Sequence, residues 1–107
     1  MSEEYFYKKR RDPGVMKYFE KEMLDAWGDF NSKVFKEGAI PKKFKELIAV
    51  ACAYDTRCPW CIESHARAAL KAGATMEEIG ETIAIAAALS AGAVMAHRAL
   101  ALEVKEE

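Results

Sequence analysis

The sequence lacks the features of a disulfide-stapled secreted protein and those of a nucleic-acid binder. Three cysteines are an odd number, and no basic segment followed by an apolar run marks a secretory signal. We therefore expect a cytoplasmic protein without a structural disulfide framework. Sixteen basic and 17 acidic residues leave a net charge of -1. Since a nucleic-acid-binding domain is usually strongly basic, we expect no nucleic-acid partner.

Aromatic residues are missing from the C-terminal part of the chain. All eleven lie at or before Trp60, whereas seventeen of the nineteen alanines lie at or after Ala49. Alanine has the highest helix propensity, and no long stretch alternates with period two or carries an Asn-Gly or Asp-Gly hairpin turn. The sequence predicts an all-α bundle of about five helices. We expect one domain, 1–107, with an N-terminal arm and long helix over 1–40 and a core unit over 41–105.

The first two helices follow from caps and periodicity. Asp12 as N-cap and Pro13 at the first helical position predict a helix to about Glu37, before Gly38. Its apolar residues step by three and four, as one helical stripe does: Val15, Phe19, Met23, Trp27, Phe30 and Val34. A second helix is expected over 42–54. Because residues 47–54 are all apolar, we expect that half to be buried on every side.

The alanine-rich remainder predicts three further helices. One runs over 59–72 and ends at Gly73, and the next opens with a capping box of Thr75 and Glu78. Residues 82–96 carry no charge, and 90–92 predict a break before a fifth helix to about 104. Fifteen residues fall short of the ~20 that span a bilayer, so we expect a buried segment and no membrane partner. This surplus of apolar surface favours a homo-oligomer.

Two cysteines begin the third helix, in the order Cys58-Pro59-Trp60-Cys61. Unpaired N–H groups and the helix dipole at such a position favour a thiolate, which is the reactive form of cysteine. With Cys58 just outside the helix, the two sulfurs have the freedom to form a disulfide. A structural thiol pair and half of a zinc site remain alternatives for the same motif.

A histidine and a glutamate complete the candidate site. His65 lies one helical turn after Cys61, on the face opposite a charged ladder of Glu63, Arg67 and Lys71. If helices two and three form a hairpin, Glu46 comes within two residues of the level of His65. Glu46 heads an apolar stripe, although nearby lysines also permit a solvated glutamate. We predict a relay in which Glu46 orients His65, His65 takes the proton of Cys61, and Cys58 closes the disulfide.

These residues resemble a known signature. Glu46, eleven residues, the pair Cys58 and Cys61, three residues and His65 are similar to the alkylhydroperoxidase D group of the carboxymuconolactone decarboxylase family, over about 41–100. The resemblance implies an alkylhydroperoxidase D-like helical fold, commonly trimeric or hexameric. It also implies a thiol-dependent peroxidase or disulfide reductase that uses these four residues and a reducing partner protein. Where the best-known peroxidases of the group carry a second histidine, this chain has Trp60.

The remaining candidates are interpreted as structural. We expect Cys52 to be a buried, inert thiol and His97 to lie on a helix face or interface. Methionines 16, 23, 76 and 95 are expected to fill gaps in a core or interface, and the basic run 8–11 to form a solvated arm. No cofactor or bound metal is expected. Alternatives to the thiol enzyme are a zinc-binding or non-catalytic assembly module and a decarboxylase of the wider family.

Overall fold

The computed structural model describes residues 13–106, and every regular element among them is helical, which confirms the all-α class. The elements are a 3₁₀ helix (Pro13–Tyr18), α1 (Lys21–Phe35), α2 (Lys42–Thr56), α3 (Pro59–Lys71), α4 (Met76–Ala96) and the single turn α5 (Ala99–Leu102). The described residues up to Gly38 form one compact unit and those from Ala39 onward another. The predicted cap at Asp12 and the basic run 8–11 lie outside the described residues.

The long first helix expected from Pro13 to Glu37 is wrong, because two separate pieces stand in its place. The 3₁₀ helix ends at Tyr18, and α1 begins only after Glu20, whose backbone is extended (φ -67°, ψ 133°). An extended residue cannot continue the i to i-4 hydrogen-bond ladder. The predicted apolar stripe is therefore split, and its members from Met23 onward lie on α1. None of the side chains of α1 is buried.

The core of the second unit lies where α2 packs against α3 and α4. Its buried cluster consists of Leu47, Ala69, Ala74 and Ile79, and Val50 is completely inaccessible to solvent. Alanine at two of these positions removes side-chain bulk from the contact, which lets helix axes approach closely. This packing holds α3 against α2, and so determines which residues of the two helices can meet.

Two tight turns of one type connect the helices of this unit. At the end of α2, Arg57 takes a left-handed backbone (φ 58°), and the Cys58 N–H donates to the Ala53 carbonyl at 3.0 Å. At the end of α3, Gly73 has φ 102°, and the Ala74 N–H donates to the Ala69 carbonyl at 2.9 Å. Both are Schellman motifs, which reverse the chain within two residues.

Helix α4 begins with reciprocal hydrogen bonds between Thr75 and Glu78. The Thr75 hydroxyl accepts from the Glu78 N–H at 3.0 Å, and the Glu78 carboxylate accepts from the Thr75 N–H at 2.9 Å. The predicted capping box is thus confirmed. The same Glu78 carboxylate pairs with the Lys43 ammonium at 3.0 Å, which ties the first turn of α4 to the first turn of α2.

Two expectations about the apolar segments are wrong, and a third, the burial of 82–96, is not met within a single chain. Helix α2 buries one face only, because α3 and α4 cover that face, and Ile48 on another side remains 50% exposed. Helix α4 continues through 90–92 without a break, since a single glycine among alanines does not interrupt the hydrogen-bond ladder. Within the uncharged segment 82–96, Ala86 is the one buried residue. The four methionines expected in a core or an interface are not in the core of this chain, since all are exposed: Met16, Met23, Met76 and Met95.

This exposure makes α4 and α5 an unusual segment. Among residues 13–106, Met76–Leu102 is the one helical stretch whose length and composition would suffice to cross a membrane. Its large apolar side chains include Ile85 and Leu89, which are 60% and 64% exposed. A single chain therefore leaves a continuous apolar surface along α4.

Candidate active site

Two sulfurs at the start of α3 are joined in the structure. Cys58 and Cys61 form a disulfide with their Cα atoms 5.2 Å apart, within the usual range for such a bond. Cys58 is the N-cap, with an extended backbone, and Pro59 occupies the first helical turn. Because Cys58 stands outside the regular helix, its side chain can turn toward Cys61. The motif is therefore geometrically able to cycle between a dithiol and a disulfide.

The helix itself polarises the first sulfur. The Cys61 N–H donates to the Cys58 sulfur at 3.2 Å, as an N-terminal N–H does to a capping oxygen in other helices. In the reduced protein, the same N–H and the positive end of the helix dipole would stabilise a thiolate at this position. Both cysteines are half-buried. They are thus partly accessible to a small substrate and partly withdrawn from water.

The predicted contact between the carboxylate and the imidazole is present. Oε2 of Glu46 lies 2.7 Å from Nδ1 of His65, across the interface of α2 and α3. Glu46 is only 3% exposed, whereas the His65 side chain retains 27% of its accessible surface. Burying a carboxylate is costly unless hydrogen bonds or an opposite charge compensate it. The alternative of a solvated Glu46 is therefore wrong.

A lysine holds the other oxygen of this carboxylate. The Lys42 ammonium lies 3.3 Å from Oε1 of Glu46, one helical turn earlier on α2. The four-residue spacing of Lys42 and Glu46 on a helix is the signal in the sequence that indicates this pair. With one oxygen on the lysine and one on the imidazole, the carboxylate has a defined orientation.

This arrangement can move a proton. When Glu46 is ionised its oxygens can only accept hydrogen bonds, and in that state the Nδ1–H of His65 is the donor. The other ring nitrogen, Nε2, then carries the lone pair, and neutral imidazole acts as a base near neutral pH. His65 follows Cys61 by one turn of α3, on the same helix face. The structure thus brings all four predicted site residues into one region of the helical hairpin.

The other candidates from the sequence fall outside this region. Cys52 is exposed, because it lies on α2 away from the face that α3 and α4 cover. The expectation of a buried thiol is therefore wrong. His97 is exposed at the end of α4, with Nδ1 2.7 Å from the Ala93 carbonyl, as expected of a helix-face residue. Between residues 13 and 106, no three His, Cys, Asp or Glu side chains are grouped to hold a metal ion.

Sequence comparison gives a relative that matches about three quarters of the chain and another that matches a short segment. The chain is 49% identical over 83 residues to an uncharacterised protein of the cox locus of Paracoccus denitrificans, which covers 78% of this chain and 75% of that protein. A shorter match, 42% identical over 38 residues, is to a Mycobacterium tuberculosis protein named alkyl hydroperoxide reductase. It covers 36% of this chain and 11% of the mycobacterial one.

Solved structures show the same fold. A crystal structure from Methanobacterium thermoautotrophicum matches with a TM-score of 0.72 at 35% identity, over 78% of this chain and 95% of that one. A second, from Thermotoga maritima, matches with a TM-score of 0.67 at 26% identity, over 92% and 85% of the two chains. It is described as a carboxymuconolactone decarboxylase family protein with a possible part in antioxidative response. Residues 21–103 match that family directly, and this chain belongs to the carboxymuconolactone decarboxylase family.

Proposed function

We propose that this protein is a thiol-dependent oxidoreductase that reduces a hydroperoxide or a small disulfide through the Cys58–Cys61 pair. The observation that carries the proposal is the buried Glu46–His65 pair, which lies one helical turn from a cysteine pair at a helix start. A structural disulfide needs no base beside it. An oriented imidazole near a thiol is the arrangement that activates a nucleophilic sulfur.

The proposed cycle begins with the dithiol. Nε2 of His65 takes the proton of the Cys61 thiol, and Glu46 stabilises the imidazolium that forms. The thiolate attacks the terminal oxygen of a hydroperoxide, the O–O bond breaks, and the imidazolium protonates the leaving alkoxide to give an alcohol. Cys61 is then a sulfenic acid. The Cys58 sulfur attacks the Cys61 sulfur, the S–O bond breaks, and the hydroxyl leaves with the Cys58 proton as water. Dithiol and hydroperoxide thus become disulfide, alcohol and water, and an external dithiol protein restores the reduced pair.

The comparisons support this class of chemistry. A relative that shares a short segment with this chain is named an alkyl hydroperoxide reductase, and the Thermotoga neighbour is described in connection with antioxidative response. A disulfide that cycles with a dithiol partner also fits a reducing compartment such as the cytoplasm, where cysteine pairs are catalytic or metal-binding rather than structural. Decarboxylase chemistry has no use for the cysteine pair, and no structural feature favours it.

Self-association is part of the proposal. Ile85, Leu89 and Leu100 are spaced along α4 and α5, and each is at least 60% exposed. Apolar surface of this extent on a soluble chain marks an interface. The alanines between these residues would let a second α4 approach closely. We therefore propose a homo-oligomer in which the α4 surfaces of different copies cover one another.

A thiol count tests the chemistry. The reduced protein, in a Cys52→Ser background, should lose two thiols when one equivalent of cumene hydroperoxide is added. Cys61→Ser should abolish rapid peroxide consumption, and Cys58→Ser should leave a sulfenic acid that dimedone traps. Serine provides a capping oxygen in place of the Cys58 sulfur, so that variant keeps its helix start. Wild-type rates in both single variants would contradict the proposal.

A further inference from the structure

Arg57 occupies a position that normally favours glycine. Among residues 13–106 it is the one non-glycine residue with a positive φ, at 58°. The equivalent position of the other Schellman motif, at the end of α3, holds Gly73. A left-handed backbone is sterically unfavourable for any residue with a Cβ, and glycine avoids that strain. An arginine at this turn therefore needs a reason other than the turn itself.

The residue directly before the reactive pair in the chain is thus a charged one. Arg57 immediately precedes Cys58, the capping cysteine of the disulfide. Its side chain is exposed, and no described carboxylate lies within ion-pair distance of its guanidinium. The acidic residue two positions earlier, Asp55, accepts a hydrogen bond from the Ser90 hydroxyl at 2.6 Å. The guanidinium is thus available to a molecule that approaches the sulfurs.

Three other cations of the hairpin, unlike Arg57, form ion pairs with described carboxylates. Lys42 pairs with Glu46, Lys43 with Glu78, and Arg67 with Glu63. A cation at the C-terminal end of a helix is also stabilised by the helix dipole. However, the equivalent turn at the end of α3 has Gly73 at this position, so such a turn forms here without a cation. Strained residues that persist beside reactive groups commonly serve the reaction.

We infer that Arg57 selects anionic substrates, that is, disulfides or hydroperoxides that carry a carboxylate close to the bond that is broken. The inference rests on the proposed thiol chemistry. A guanidinium binds a carboxylate through paired N–H donors, and this would hold the substrate while a protein thiolate attacks it. For a disulfide substrate, one protein sulfur forms a mixed disulfide and releases one thiolate. The second protein sulfur then releases the other, and two electrons pass to the substrate.

Three alkyl disulfides of similar size and different charge test the inference. They are dithiodipropionate, which is dianionic, bis(2-hydroxyethyl) disulfide, which is neutral, and cystamine, which is dicationic. Reduced protein in a Cys52→Ser background is mixed with each, quenched with an alkylating agent and scored by intact mass for the Cys58–Cys61 disulfide. The variants are Arg57→Gly and Arg57→Asn, which suit a left-handed backbone without the charge, and Arg57→Lys, which keeps the charge.

Loss of the charge should change the selectivity. We expect Arg57→Gly and Arg57→Asn to slow the reaction with dithiodipropionate by about three- to tenfold, the effect of one nearby charge in a high dielectric. The neutral disulfide should change by less than about twofold and cystamine should react faster, while Arg57→Lys retains the preference of the wild type. The preference of the wild type for the anionic disulfide should fade at 1 M salt, because charges are then screened over a Debye length of about 3 Å.

The control is Arg67→Ala, which makes the same change in net charge on the exposed face of α3, where Arg67 pairs with Glu63. It should leave all three rates unchanged. Equal slowing of all three probes in Arg57→Gly would overturn the selection of anions and leave the thiol chemistry intact. A reduced wild type that reacts with none of the three disulfides but still consumes cumene hydroperoxide would overturn the selection of anionic disulfides and leave the thiol chemistry intact. One that reacts with neither the disulfides nor the hydroperoxide would overturn the thiol chemistry itself.

Discussion

Oε2 of Glu46 lies 2.7 Å from Nδ1 of His65, although nineteen residues separate them in the chain. The left-handed turn at Arg57 brings them together, because it reverses the chain within two residues and sends α3 back along α2. Lys42, on the other oxygen of the carboxylate, completes the orientation of the pair. The contact is the geometric basis of the proposed proton transfer.

Glu46→Gln should remove most of the activity while the fold is retained. The amide is isosteric, but it cannot stabilise an imidazolium at His65, so peroxide consumption should fall by roughly 10²- to 10⁴-fold. Stopped-flow kinetics of the reduced protein measure this rate. Glu63→Gln is the matched control, since Glu63 is exposed and pairs only across the surface of α3. Equal rates in the two variants would rule out the relay.

Lys42→Met should have a smaller effect than Glu46→Gln. The lysine side chain is 48% exposed, and an ion pair with one exposed partner contributes at most about 1 kcal/mol, which corresponds to roughly fivefold in rate. Lys43→Met is the control, because Lys43 lies one residue further along and pairs with Glu78 instead. The measurement is the rate of thiol alkylation by iodoacetamide as a function of pH. The profile of Lys42→Met should differ from that of the wild type, and the profile of Lys43→Met should not.

The capping box at the start of α4 should contribute measurably to stability. Thr75→Ala removes the hydroxyl that accepts the Glu78 N–H, and the loss of such a cap costs about 1 kcal/mol. Urea unfolding of the reduced protein measures the difference. Thr56→Ala is a useful control, since its hydroxyl donates only to the Ala53 carbonyl within α2 and caps no helix start.

The contribution of Glu78 should depend on pH. The hydrogen bond from the Thr75 backbone, followed by the one from Lys43, lowers the pKa of the Glu78 carboxyl below its ordinary value. A lowered pKa in the folded state means that the carboxylate stabilises the fold above the ordinary pKa, and that this stabilisation is lost as the pH falls through the folded value. The difference in unfolding free energy between wild type and Glu78→Gln should therefore shrink on acidification from pH 7 to pH 3. A constant difference would contradict the assignment.

The two Schellman turns should respond in opposite ways to exchange of their central residue. Gly73→Ala should destabilise the fold by about 1–2 kcal/mol, because a Cβ strains a left-handed backbone. The space around this Cβ is open, so a steric clash would not add to the cost. Arg57→Gly should leave the unfolding free energy equal or raise it by up to about 1 kcal/mol. Glycine relieves the backbone strain of the folded state, but it also gives the unfolded chain more conformational entropy to lose on folding, and the two effects oppose each other. A marked loss of stability in Arg57→Gly would show that the arginine is structural.

Leu89→Glu should disrupt self-association. The side chain is 64% exposed in the middle of the apolar surface of α4, where a charge would have to be buried by a second copy. Light scattering after gel filtration, in buffer without detergent, should show a smaller particle for Leu89→Glu than for the wild type. Glu77→Gln, at the exposed first turn of α4, should leave the mass unchanged. A wild type that is monomeric, or one that remains in solution only with detergent, would contradict the proposed oligomer.

Several features of the fold and of the site could be predicted from local chemistry. The capping box of Thr75, the cap at Cys58 and the stop at Gly73 each depend on neighbouring residues, and each was found where the sequence predicts it. The break expected at 90–92 and the long first helix were wrong. At those points the helix propensities of single residues are too small to determine whether the backbone hydrogen-bond ladder continues or breaks.

The sequence by itself determined the helical class, the starts of α2, α3 and α4 and the spacing of Glu46, Cys58, Cys61 and His65, because caps, propensities and helical periodicity act within a few residues. Only the tertiary structure decided that the Glu46 carboxylate is buried against His65 and Lys42, that Arg57 has a left-handed backbone, and that Cys52 and most of α4 remain exposed. Burial depends on which helix faces pack together. That choice follows from the balance of packing and desolvation over the whole bundle, which no short stretch of residues contains.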